Sequence, residues 1–151
     1  MAPGLIALVV ALAVAVVTGL AWQRTNGRIR GVRGAPAPGA PKAQAAAATG
    51  PVITGAELGL PLGQRATLVQ FSTAFCAPCR ATRRILAEVA GMVDGVAHVE
   101  IDAESHLDLV RRLDIRRTPT VLVVGPDGRV AKRASGQPRK ADVIAAVGEL
   151  T

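Results

Sequence analysis

Apolar and polar positions along the chain fall into two regimes. From Leu5 to Trp22 the sequence LIALVVALAVAVVTGLAW runs 18 residues without a charge, interrupted by Thr18 and Gly19. As one helix this run spans about 27 Å at 1.5 Å per residue, close to the roughly 30 Å hydrocarbon core of a bilayer. A helix satisfies its own backbone polar groups, as lipid requires. Trp22 at the end of the run suits the interface. The pattern therefore predicts a transmembrane helix within residues 1–23. The competing reading is a cleaved signal peptide, with Gly19-Leu20-Ala21 as the cleavage site. Signal peptides open with a positive segment, and here only Met-Ala-Pro-Gly precedes the run.

The second regime begins near Val52 and has the shorter periods of a folded domain. Ala66–Ser72 (ATLVQFS) is an apolar run consistent with a buried strand. After Cys76 a helical pattern opens, with Ile85, Leu86, Val89 and Met92 on one face, and Gly91 and Asp94-Gly95 end it. Val96–Asp102 alternates in part and reads as a second strand. Ser105–Leu113 reads as a short helix with Ser105 as N-cap and Leu107, Leu109, Val110 and Leu113 on its apolar side. Thr120–Val124 is a β-branched strand, Pro126-Asp127-Gly128 a turn, and Arg129–Ala134 its hairpin partner. Arg139–Leu150 closes as an amphipathic helix. This order predicts an α/β fold, a mixed sheet covered by helices on both faces.

Composition and charge sharpen that picture. The 151 residues leave room for one ordinary domain and an appendage. Half the chain is apolar, which excludes a disordered acidic chain. Two cysteines exclude a disulfide-dense scaffold. Three aromatic residues and no Tyr argue against nucleic-acid binding by base stacking. The net charge is +7, yet 13 basic and 11 acidic residues lie from Val52 onward, so the domain carries +2 and the preceding arm +5. Arg24, Arg28, Arg30 and Arg33 follow the apolar run directly, and positive flanks tend to stay cytoplasmic. The expected protein is a single-pass membrane protein with its domain on the cytoplasmic side; the extracytoplasmic face is the alternative. Residues 34–51 are Ala, Pro and Gly with one Lys and one Gln among few other residues, so 24–51 reads as a basic, Ala/Pro/Gly-rich linker and 52–151 as the domain. Arg111, Arg112, Arg116 and Arg117 read as a solvated basic cluster with acids nearby, not as a nucleic-acid contact, and His106 reads as solvated.

The chemistry centres on Phe75-Cys76-Ala77-Pro78-Cys79-Arg80, where a strand meets a helix. Cysteines at i and i+3 share one helix face within disulfide reach. A sulfur at the helix N-terminus is favoured as thiolate, the nucleophile of thiol–disulfide exchange, and a second cysteine one turn inside resolves the mixed disulfide. Pro78 in the first turn loses no hydrogen bond. Arg80, Arg83 and Arg84 read as the solvated face of the helix. Half of a zinc site and an inert structural pair are the alternatives. Structural zinc takes four ligands, and beyond this pair only His98 and His106 remain, so no metal is expected.

Together LVQFSTAFCAPCR, VEIDAES, IRRTPTVLVV (Ile115–Val124), Asp127-Gly128 and Ser135-Gly136 make the region Val52–Thr151 resemble the thioredoxin family. The 40 residues from Cys79 to Pro119 resemble the compact core of that fold, without the helical insertion of its dedicated oxidases. The resemblance implies a thioredoxin-like mixed sheet flanked by helices. It implies Cys76 as exposed nucleophile, Cys79 as resolving cysteine and Pro119 as a cis-proline. Thr118 would offer its backbone to a substrate strand, and Gly136 would let the substrate approach. Departures stand at three positions: Phe75 replaces the usual tryptophan, Gln70 the buried acid on the preceding strand, and His98 the lysine often paired with that acid. Gln does not titrate near neutrality, whereas histidine does, which makes His98 a candidate proton relay. The implied activity is that of a membrane-tethered thiol–disulfide oxidoreductase reducing protein disulfides in cell redox homeostasis, as a monomer without bound cofactor. A flavin-dependent thioredoxin reductase is the implied upstream electron donor. Two alternatives stand beside it: an outward-facing reductase or oxidase of exported proteins or in cytochrome c maturation, and a redox-sensing membrane module without turnover.

Overall fold

A computed structural model describes residues 2–32 and 50–150. Helix α1 (Ala2–Thr25) leads into strand β1 (Ile29–Gly31). After the stretch 33–49, which lies outside the described residues, come α2 (Gly55–Leu58), β2 (Ala66–Ser72), α3 (Ala77–Met92) and β3 (Val96–Asp102). Then follow α4 (Leu107–Arg112), β4 (Thr120–Val124), β5 (Val130–Ser135) and α5 (Lys140–Gly148). The strands form one sheet in the order β1-β5-β4-β2-β3, with β2 and β3 parallel and the other pairs antiparallel.

Strand β2 is buried at every position, as a strand flanked on both edges and covered on both faces must be. Its even positions, Ala66 and Leu68, pack with Val121, Val123 and Ala134 under α3 and α5, through Leu86, Val89, Val143, Ala146 and Val147. Its odd positions, Val69 and Phe71, pack with Val99, Ile101, Leu122 and Val124 against Leu58 of α2 and Leu109 and Leu113 of α4. The mixed sheet with helices on both faces is thus the observed architecture.

Four details depart from the sequence-based expectations. Ile29–Gly31, read as part of a linker, pairs with β5 in the register Ile29↔Ala134 to Gly31↔Lys132. Ile29 packs on the core beneath α5, which a tether residue would not do. The helix α2 went unpredicted, although Thr54 and Glu57 form a reciprocal capping box, a motif legible in sequence. Ser105 does not cap α4: its hydroxyl donates to Asp102 Oδ2 at 2.5 Å, and His106 holds the N-cap position. Met92 ends α3 exposed, because the buried stripe runs through Cys79, Thr82, Leu86 and Val89.

The basic cluster of the second half is paired. Arg112 bonds Glu57 and the Val52 carbonyl, Arg116 bonds Asp114 at 2.9 Å, Arg111 bonds Asp108 at 3.3 Å, and Arg117 bonds the Ser135 carbonyl at 2.7 Å. Exposed pairs of this kind are screened by solvent and add little to stability. Their effect is to occupy the arginines locally.

The flanks of the stretch 33–49 both reach the start of β5. Val32 donates to Ala131 at 3.1 Å, and the Pro51 carbonyl accepts from Val130 at 3.0 Å. What separates α1 from the sheet is therefore three residues, Asn26, Gly27 and Arg28.

Candidate active site

The site gathers at one end of the sheet. Strand β2 delivers the chain at Ser72, β4 starts there at Thr120, and β5 ends there at Ser135. Between Ser72 and α3 the backbone turns at Phe75 with φ 58°. A bulky side chain at positive φ is a genuine outlier, costing about 1–3 kcal/mol, and such strain persists where surrounding structure imposes it. The turn leaves Phe75 fully exposed, at 101% of its reference surface. Ala74, Ala77 and Pro78 are exposed around it.

Cys76 is the N-cap of α3, and its sulfur accepts from the Cys79 N–H at 3.2 Å. The two cysteines are joined as a disulfide. Cys76 is half-buried, whereas Cys79 retains 2% exposure beneath it. One sulfur is therefore open to an incoming disulfide and the other is shielded. In the dithiol, the helix N-terminus and the Cys79 N–H favour the thiolate at Cys76.

Beneath the pair lies a polar group that sequence reasoning had not assembled. Gln70, with 0% exposure, donates through Nε2 to the Cys79 carbonyl at 2.9 Å. The parallel register sets Gln70 opposite Glu100. Glu100 accepts from Ser72 Oγ at 2.7 Å and is gripped by Arg83 through Nε at 2.6 Å and Nη2 at 2.9 Å. Arg83 is thus an ion-pair partner and not merely solvated. Burial pushes the Glu100 carboxyl up, but hydrogen bonds from Arg83 and Ser72 outweigh it and hold it below the usual carboxylate range. The signal for this group was present in VEID, but locating it required the β2/β3 register.

The candidate residues are placed unequally. Thr118 and Pro119 stand beside the cysteine loop: Thr73 Oγ1 and Thr118 Oγ1 are 3.1 Å apart, and the Thr118–Pro119 bond is cis. Gly136 joins this group, its N–H donating to the Pro119 carbonyl at 2.7 Å. It is buried, however, and a Cβ built on it would fall 2.2 Å from Asn26 Oδ1 and 3.1 Å from the Gly27 nitrogen. The turn after α1 covers the side from which a substrate was expected to approach. His98 stands apart on β3, opposite Leu68, with Nε2 buried and unpartnered among the described residues. Burial lowers its pKa below the ordinary histidine value; Glu100 opposes this shift and Arg83 adds to it.

That shift gives a testable pH dependence. An unfolded histidine titrates near about 6.5, whereas folded His98 resists protonation. As pH falls through that value the unfolded state binds more protons, so stability declines until folded His98 also protonates. His98→Gln is expected to flatten that part of the profile, measured as urea midpoints between about pH 7.5 and 5. An unchanged slope in the variant would assign the dependence elsewhere.

Among the described residues no cluster of His, Cys, Asp and Glu could hold a metal ion. The family model for thioredoxin matches residues 60–149. A curated relative, thioredoxin H5 of Oryza sativa subsp. japonica, is 26% identical over 72 residues, covering 48% of this chain and 53% of that protein. The chain thus spans about half the length of that relative. Among solved structures, chloroplastic thioredoxin z is similar at 30% identity and TM-score 0.55, over 65% of this chain and 90% of that one. A point-mutant thioredoxin from Halobacterium salinarum NRC-1 has TM-score 0.53 at 18% identity, over 58% and 76%, a likeness of fold.

Proposed function

The chain belongs to the thioredoxin family, and on that premise we propose that it is a membrane-tethered thiol–disulfide oxidoreductase that reduces protein disulfides. The observation that carries this reading is the asymmetry of the pair: Cys76 caps a helix at the surface and Cys79 lies buried one turn inside.

The Cys76 thiolate attacks one sulfur of a substrate disulfide. The substrate S–S bond breaks, a Cys76–substrate disulfide forms, and the departing substrate sulfur takes up a proton. The Cys79 thiolate then attacks Cys76 Sγ, releasing the second substrate thiol and closing the Cys76–Cys79 disulfide. Two electrons pass to the substrate. An upstream thiol donor, supplied by a flavin-dependent thioredoxin reductase, reopens the pair. Thr118 and Pro119 line the docking edge for an extended substrate segment, and the exposed Phe75 offers it an apolar contact.

Helix α1 supports the tether. Its span Gly4–Thr25 holds 22 residues with none of its apolar window buried against the domain. It measures about 33 Å, enough to cross a bilayer. The arginines that follow favour the cytoplasmic side for the domain; a topology reporter fused after Thr151 should give the cytoplasmic signal, and an outer-face signal would reverse this assignment.

The full chain in detergent is expected to catalyse insulin reduction by dithiothreitol, read as turbidity. A folded chain that leaves the rate at the dithiothreitol background would refute the enzymatic reading and favour a module without turnover.

A further inference from the structure

The membrane helix and the dithiol leave the sheet by the same end. Strand β1 runs antiparallel to β5, so its first residue, Ile29, lies beside Ala134, near the end of β5. That end of β5 abuts the start of β4, Thr120 opposite Ser135, and Thr120 is followed across the sheet by Phe71, near the end of β2 from which the cysteine loop departs. With three strand spacings of about 4.8 Å between β1 and β2, the dithiol stands roughly 14 Å to the side of the point where the helix enters.

The connection is short and clamped. Asn26, Gly27 and Arg28 link α1 to β1, and three residues span at most about 10 Å. Gly27 donates to the Ser135 carbonyl at 2.8 Å. It holds φ +76° against the loop after β5, where a Cβ would fall 1.8 Å from the Gln137 carbonyl oxygen. Gly136 meets Asn26 in the reciprocal direction. The helix is exposed along its apolar length and does not fold back on the domain. The surface around its exit is basic: a cleft beside it is lined by Trp22, Arg28, Arg30, Arg117 and Arg133, with Asp114. That charge suits anionic lipid headgroups.

Resting on the membrane-tethered reading, we infer that the dithiol is held at the bilayer surface and that its substrate is a disulfide of a membrane-spanning protein, in a segment just emerging from the lipid. A domain of this size is about 30 Å across. Attachment at the opposite end of the sheet would lift the dithiol by that distance, and a long flexible tether would let it sample many heights. Attachment at the dithiol end through three residues does neither. It concentrates Cys76 in a thin layer, where co-resident membrane disulfides meet it at high effective concentration.

The test uses the full chain in nanodiscs with dithiothreitol as donor. The probe is a single-span peptide carrying a two-cysteine disulfide loop flanked by fluorophore and quencher. In one form the loop follows the span directly; in the other a rigid helix of about 20 residues raises it by about 30 Å. The near disulfide is expected to be reduced about tenfold faster or more. A flexible insert of about 15 Gly and Ser residues between Thr25 and Asn26 should abolish the preference. Equal rates, a preference for the raised probe, or a preference that survives the insert would overturn the inference while leaving the reductase reading intact. A chain that does not float with lipid overturns it together with the tether. A chain inactive on insulin in detergent overturns the reductase reading itself.

Discussion

Cys76→Ser is expected to reduce insulin turnover to the background of dithiothreitol alone. The argument rests on position as much as on chemistry. Cys76 carries the accessible sulfur of the pair, and it sits where the helix N-terminus and the Cys79 N–H stabilise a thiolate. A serine hydroxyl there is neither ionised near neutral pH nor able to form a disulfide. Cys79, at 2% exposure, cannot take over the attack without the helix start opening. The variant should unfold within about 1 kcal/mol of the reduced wild type, because a half-exposed S-to-O change creates no cavity. Residual turnover well above background, in a folded variant, would mean that another group starts the reaction.

Gly136→Ala is expected to destabilise the domain more than either cysteine-to-serine change does in the reduced protein. Gly136 holds φ +95°, a conformation that L side chains rarely adopt, and strain of this kind costs about 1–3 kcal/mol. The added methyl would also meet Asn26 Oδ1 at 2.2 Å and the Gly27 nitrogen at 3.1 Å. For a domain of about 100 residues each kcal/mol lowers Tm by about 4–8 °C. Pairing it with Asn26→Gly separates the two contributions, because the smaller residue relieves the side-chain overlap and leaves the backbone strain. The double variant should regain part of the lost Tm and not all of it. A single variant that melts like wild type would show that the turn after α1 does not rest on Gly136.

These two sites differ in how far they were legible beforehand. The cysteines announce themselves by spacing, and the strands around them by long apolar runs: β2, β3 and β4 occupy the spans read from sequence, Ala66–Ser72, Val96–Asp102 and Thr120–Val124. Strands β2 and β4 are central and buried at every position, so their apolar runs are strong. Strand β3 lies at the sheet edge, buries Val99 and Ile101, and is legible from its partial alternation. Strand β1 has three residues, Ile29-Arg30-Gly31, set among arginines, and its partner lies about a hundred residues away in sequence. No local pattern encodes such a pairing. The clamp between Gly27 and Gly136 depends on it and was hidden for the same reason. The group Gln70–Glu100–Arg83 needed three elements in register before its charges could be assigned. Within it, the amide at Gln70 ties the Cys79 backbone to a carboxylate that stands one strand over.

The most direct test of the chemistry is a trap. In Cys79→Ser the resolving step is missing, so a substrate disulfide attacked by Cys76 should remain attached. The full-length variant is incubated with insulin without added reductant, quenched in acid, and mapped by mass spectrometry. A covalent adduct joining an insulin cysteine to Cys76, sensitive to dithiothreitol and missing from the Cys76→Ser/Cys79→Ser double variant, is the predicted result. A reduced, folded Cys79→Ser protein that gathers no adduct at Cys76 would contradict the assignment of Cys76 as the nucleophile of thiol–disulfide exchange.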